Sequence, residues 1–149
     1  RIERYLEDAM PEVAPNLSAL AGAALAARLI AHAGGVHELS RKSAGTIQTL
    51  GAEKAIFRHL AEGKAPPKHG AIFVHPLVGR APRHQRGPIA RALANKLAIA
   101  ARADATTHAD ISAKLKRDLE TRVAEIRRVR AQPRTGPRRP RAERHAGRR

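Results

Sequence analysis

The sequence contains no cysteine and no tryptophan, and Tyr5, Phe57 and Phe73 are its only aromatic rings. Without cysteine there is no disulfide, no thiolate metal site and no thiol nucleophile. Three rings cannot furnish the repeated stacking platforms of an RNA-binding sheet or barrel. Large apolar residues are also scarce: Leu, Ile, Val and Phe number 30 in 149 residues, a share at the border of what buries a core. No apolar run approaches about 18 residues, so no membrane span is expected. The longest, 17–33, is mostly Ala and is interrupted by Gly22, Arg28 and His32. Acidic residues are outnumbered, 13 against 29 Lys and Arg, for a formal charge of +16.

What the sequence has instead is alanine, 31 residues of it. Alanine is the best helix former and lets helices approach closely. The length suits one domain. From 133 to 149 there are seven Arg, three Pro and two Gly against one Glu, and nothing large and apolar. Such a tail cannot offset its ordering entropy and is expected to be disordered, a sequence-blind polyanion binder at most. The remaining 132 residues still carry +10, which points to a polyanionic partner. The chain opens on Arg1 without an initiator Met or a signal-peptide pattern, as a piece of a longer protein would.

Apolar spacing predicts helices throughout. Ile2, Tyr5 and Leu6 mark the end of an amphipathic helix over 1–12 that stops near Pro11. A second helix is expected from Leu17 to about His32, capped by Asn16 and stopped by Gly34-Gly35. A connector over 38–46 leads to a helix from Thr46 to Ala61 whose stripe is Ile47, Leu50, Phe57 and Leu60. Arg41 and Lys42 therefore precede a helix N-terminus, where free N–H groups and the dipole favour anions; a basic loop that meets only solvent is the equal alternative. Residues 63–70 and 79–87 read as loops, and 71–74 as a short apolar turn or extended piece. Pro88 suits the first turn of a helix reaching Ala103, with Ile89, Leu93, Leu97 and Ala100 buried. On that helix Arg91 and Arg102 lie within about 20° of each other and roughly 16 Å apart along the axis. They suit several phosphates, or else form a solvated face. A last helix over 110–130 buries Leu115, Leu119, Val123 and Ile126, with Asp118 and Arg122 placed for a surface pair. The expected fold is all-α.

Catalytic signatures are missing. His32 and His37, and His69 and His75, are spaced too awkwardly to share a helix face, and no carboxylate cluster joins them, so no metal site is expected. Ser18, Ser40, Ser43 and Ser112 lie in no nucleophile elbow, and no phosphate-binding GxxxxGK[ST] loop occurs. Glu53 and Lys54 are adjacent in GAEKA (51–55), so on a helix they point about 100° apart and form no dyad. Neither an enzyme nor a cofactor is expected.

Four blocks in register carry a family likeness: APNLSALAGAALAARLIAHAGG (14–35), LGAEKAIFRHL (50–60), PPKHGAIFVHP (66–76) and RGPIARALANKLAIAARADA (86–105). Over about 1–130 the sequence resembles the NOP domain of the archaeal or nucleolar box C/D ribonucleoprotein scaffold, of which a spliceosomal pre-mRNA processing factor carries a diverged copy. GAEKA favours the former branch. The resemblance implies a compact helical module at 13–131, preceded at 1–12 by the end of a coiled-coil helix and followed at 132–149 by the basic tail. It implies docking on a kink-turn box C/D RNA already held by a small ribosomal-protein-like binder, in assembly of a 2′-O-methylation guide particle. It further implies recruitment of the fibrillarin methyltransferase only through an N-terminal domain that would precede Arg1. Localisation would be cytoplasmic in an archaeon and nucleolar in a eukaryote.

By the same resemblance Arg41, and Lys42 beside it, would touch RNA, as would Lys68, Arg91 and Arg102. Lys68 stands where one branch stacks on a base, and a Lys would make a phosphate contact instead. Ala44 and Gly45 would face the partner protein and the RNA. Glu53 and Lys54, hallmarks of the family, would pack or meet the partner. The sequence departs from the family pattern at Ser43, where Pro is usual, and at Gly45, where a capping Ser, Thr or Cys is frequent; Ser43 or Thr46 would have to cap in its place. The competing reading is a general RNA or polyanion binder driven by net charge and the tail, and a spliceosomal assembly role is a third.

Overall fold

A computed structural model describes residues 2–134. The tail's expected disorder therefore falls almost wholly outside the described residues. Among them there are nine α-helices and no strand. They are α1 (Ile2–Val13), α2 (Pro15–Ala21), α3 (Ala23–Ala33), α4 (Val36–Ser40), α5 (Ala44–Thr49), α6 (Glu53–Glu62), α7 (Pro76–Gly79), α8 (Arg83–Arg102) and α9 (Ser112–Val129). A 3-10 turn over Ala71–Val74 and a wide π-type turn over Ala103–Thr107 complete the chain. No single helix among the described residues is long and apolar enough to cross a membrane.

The long helix α8 is the hub. It packs against α2, α4, α5, α7 and α9. Ile89, Leu93 and Leu97 are fully buried, and Ala90, Ala94, Ala98 and Ala101 bring neighbouring helices close. Alanine thus substitutes for bulk: a core thin in large side chains closes by shortening the distance between helix axes.

The structure corrects several expected boundaries. The helix expected over 17–32 is two, α2 and α3, bent by 119° at Gly22. Gly22 has φ +82, a left-handed conformation that other residues adopt only under strain. The apolar spacing continues across this bend, so spacing alone hides it. Asn16 does not cap. It sits inside the first turn behind Pro15 and is fully buried. Its side-chain amide donates to Asp104 Oδ1 (2.9 Å) and to the Ala109 carbonyl (2.7 Å), and its Oδ1 accepts from Ile111 N–H (2.9 Å). Asp104 in turn accepts from the backbone N–H of Asn16 (3.0 Å) and of Leu17 (2.9 Å). The first turn of α2 is thus capped from 88 residues away.

The helix expected over 46–61 also breaks, at Leu50-Gly51-Ala52, where Gly51 has φ +93. Ile47 and Leu50 are buried as expected. Phe57 and Leu60 are not: they are 74% and 76% exposed on α6, which buries no residue. Helix α4 occupies part of the 38–46 connector, and α7 precedes the loop expected from 79. Helix α8 begins at Arg83, so Pro88 lies inside it rather than in its first turn. Asp118 pairs with Lys114 (3.7 Å) and Arg122 with Glu125 (3.0 Å), in place of the expected Asp118–Arg122 pair. Helix α1 continues through Pro11 to Val13.

Candidate nucleic-acid interface

From Arg91 onward α8 has four exposed residues: Arg91, Asn95, Ile99 and Arg102. Their spacing of four, four and three places them on one stripe, and nearly every other side chain of this stretch is buried. Arg91 and Arg102 therefore share the single open face of a helix otherwise enclosed by its neighbours.

Beside this stripe the loop before Ala71 is tied to α5. Gly70 N–H donates to the Gln48 carbonyl (2.8 Å) and Ala71 N–H to that of Leu50 (2.8 Å). The approach demands glycine: a Cβ on Gly70 would lie 2.7 Å from the Thr49 oxygen and closer still to that of Leu50. Gln48, nearly buried, links loop to hub. Its Nε2 donates to the Lys68 carbonyl (2.7 Å), and its Oε1 accepts from Arg91 Nε (3.0 Å). Arg91 keeps its two terminal nitrogens for a ligand.

The result is a cleft of about 430 Å3 between α5, the 67–68 segment and the start of α8. Gly45, Gln48, Pro67, Lys68, Pro88 and Arg91 contribute to its lining. Next to it His69 stacks on Phe73 (centroids 4.8 Å apart), and the Arg86 guanidinium lies 5.2 Å from the Phe73 centroid. Burial, then the charges of Arg86 and Lys68, push His69 below its ordinary value of 6.5. The cation that this loop brings to the cleft is thus Lys68.

The other expected site residues are placed less uniformly. Arg41 is exposed and Lys42 half-buried, between α4 and α5. Both helices pack on α8, and α4 also meets the 103–107 turn just past Arg102. The pair thus flanks the hub without lining the cleft. Their backbone N–H groups are already bonded to the Glu38 and Leu39 carbonyls (3.2 and 3.0 Å). Helix α5 has only six residues, and Ser43 Oγ takes the Thr46 N–H (3.2 Å). The expected anion-binding helix terminus is therefore weak, and only the side chains of Arg41 and Lys42 remain available. Ser43 thus does cap α5.

Ala44 is half-buried against the core and Gly45 is exposed at the cleft. Glu53 and Lys54 are exposed at the start of α6, away from the cleft. The Glu53 carboxylate accepts from Gly51 N–H (3.0 Å) across the break between α5 and α6. Its own backbone N–H, that of Gly51 and the charge of His32 hold it below the usual carboxylate range. The sequence reading does not place Gln48, Pro67 or Pro88 at the site. The partners of Gln48 lie 20 and 43 residues away, so no local signal marks it.

Three ion pairs form among the described residues, Glu62–Lys64, Lys114–Asp118 and Arg122–Glu125. None uses Arg41, Lys42, Lys68, Arg91 or Arg102. At the cleft, Lys68 and Arg91 have no carboxylate partner among the described residues, and cations so placed raise the local positive potential and favour an extended anion. No group of three or more potential metal ligands occurs among the described residues.

Residues 1–125 match the Nop family model, described as snoRNA binding domain, fibrillarin. The chain is 56% identical over 129 residues to a NOP5 family protein of Methanocaldococcus jannaschii, covering 87% of this chain and 31% of that protein. It is 47% identical over 110 residues to Nucleolar protein 58 of Schizosaccharomyces pombe (74% and 22% covered). It is 45% identical over 126 residues to human Nucleolar protein 56 (83% and 21% covered). The chain thus spans less than a third of the curated relatives it matches. A chain in the crystal structure of a fibrillarin/Nop5p complex superposes with a TM-score of 0.68 at 38% identity, over 85% of this chain and 47% of that one. The helical hub, the four sequence blocks laid around it and these matches together establish that the chain belongs to the Nop family.

Proposed function

We propose that this chain is a ribonucleoprotein-binding scaffold module that docks on a box C/D kink-turn RNA together with that RNA's ribosomal-protein-like binder, within a 2′-O-methylation guide particle. The observation that carries this reading is the placement of Lys68 and Arg91 at one cleft, with Arg102 further along the same exposed stripe of α8 and no ion pair to any of the three among the described residues; Arg41 and Lys42, between α4 and α5, are assigned to the same RNA. Phosphate contacts of this kind supply affinity and position but little sequence discrimination. The half-buried Ala44 and exposed Gly45 supply a small apolar and backbone surface for the protein partner, and Glu53 and Lys54 are assigned to the same partner's side. The relatives' names and the family description support the assignment to snoRNA-type particles. Contact with fibrillarin is assigned to the scaffold outside this module, and the units are drawn at 1–12, 13–131 and 132–149. In a eukaryote the module would act in the nucleolus, in an archaeon in the cytoplasm.

The test is a gel shift of a kink-turn RNA with and without its small protein binder. The composite reading expects weak binding to bare RNA and strong binding once the binder is loaded. Equal affinity for both favours the second reading, a general polyanion binder, which the net charge of +16 supports. That reading further expects deletion of 133–149 to remove nearly all binding and affinity to fall steeply with salt for any RNA.

A further inference from the structure

A second hollow, of about 660 Å3, lies between α8 and α9. It is not separate from the first, because Pro88 and Arg91 line both. The two hollows therefore adjoin at the open stripe of α8. Four cations face the second hollow, Arg91, Lys96, Arg122 and Arg130, against two carboxylates, Asp118 and Glu125. Both carboxylates are engaged, Glu125 with Arg122 and Asp118 with Lys114. Arg91, Lys96 and Arg130 have no carboxylate partner among the described residues. Arg130 is also held from two sides: its N–H donates to the Ile126 carbonyl (2.8 Å), and its carbonyl accepts from Nε2 of the buried Gln85 (3.1 Å). No aromatic ring lines the hollow, so it has no means of stacking a base. Asn95 adds a neutral donor and acceptor suited to a ribose or phosphate oxygen.

We propose that the α8/α9 hollow is a second phosphate-binding stretch, which RNA backbone enters over Arg91 and in which Lys96, Arg122 and Arg130 hold it. This rests on the RNA-binding reading above and extends it to α9, which that reading leaves unused. Phosphate at Arg122 displaces the exposed Glu125 carboxylate, a pair worth little in solvent. The basic tail is a poor occupant, since it would add positive charge to a surplus of positive charge.

The experiment titrates the full chain onto fluorescent kink-turn RNA preloaded with its small binder, at several KCl concentrations. The hollow variant is K96Q/R122Q/R130Q, the charge-matched control K116Q/R117Q/R127Q on the outward side of α9, and the first-cleft reference K68Q/R91Q. The hollow variant is expected to lose about tenfold or more in affinity, with a salt slope shallower by about two to three. The control should change by less than about twofold, and E125Q should bind more tightly. Wild-type affinity and slope in the hollow variant, or an equal loss in the control, overturns the proposal. If only the first-cleft reference loses binding, the hollow is overturned while the RNA reading stands; if the unaltered chain fails to bind the loaded RNA, both fall. Melting curves verify folding, and the charge-retaining set K96R/R122K/R130K should restore binding; failure to restore it counts against the proposal.

Discussion

At the scale of single residues, the site depends on groups that hold charge in place. Gln48 is the clearest case, since one buried amide fixes both the loop that carries Lys68 and the guanidinium of Arg91. Gln48→Met keeps the volume and removes both bonds. Stability should fall by about 1–2 kcal/mol in denaturant titration. Affinity for the loaded RNA should drop about two- to tenfold, because a long side chain must then be ordered on binding. Unchanged binding would show that Arg91 needs no such support. His69 makes a second residue-scale prediction. Its pKa is depressed in the folded chain, so the unfolded chain takes up the proton first as pH falls below about 6.5. The stability its neutral form contributes is complete above that pH and is lost as pH falls towards its folded value. Melting of the native chain should therefore drop more between pH 7 and 5 than melting of His69→Gln. Parallel curves would remove His69 from that account.

At the scale of elements, apolar periodicity located every long helix but could not distinguish a straight one from a broken one. Apolar spacing records which side faces inward. It does not record whether the axis turns, and at Gly22 and Gly51 a positive φ turns it. Pro88 misled in the same way: a proline signals a helix start by removing an N–H, yet α8 accommodates it one and a half turns in. The stripe of Arg91 and Arg102 was legible because α8 is regular there. The Gln48 bridge was not, because its partners come from other elements. Helix α6 shows the opposite error, in which an amphipathic pattern was read as core. Phe57→Ala and Leu60→Ala are expected to shift stability by no more than about 0.5 kcal/mol, whereas Leu93→Ala on the hub should cost about 2–5 kcal/mol. Hydrogen exchange should be faster in α6 than in the centre of α8. A large loss from Phe57→Ala would mean that α6 packs more tightly than its exposure indicates.

At the scale of the whole molecule, the described chain is organised by one hub helix and one long-range latch. The latch joins the start of α2 to the turn after α8, through Asn16 and Asp104. Asp104→Ala would leave two backbone donors and the Asn16 amide without their acceptor, at a cost of roughly 3 kcal/mol or more. Denaturant titration should register that loss, and a change under about 1 kcal/mol would demote the latch to an incidental contact. Neither half of this arrangement is legible locally, since Asn16 reads as a helix cap and no spacing signal ties Asp104 to it across 88 residues. Their spacing also imposes an order of events on synthesis. A nascent chain that has emerged only as far as Arg102 holds all of α2, α3 and the hub, yet lacks the carboxylate those first amides require. The Ala-rich hairpin must wait, unfastened, until the ribosome has released residues 104–111. Ribosome-bound chains arrested before that stretch should accordingly yield to protease at α2, while those arrested well beyond it resist.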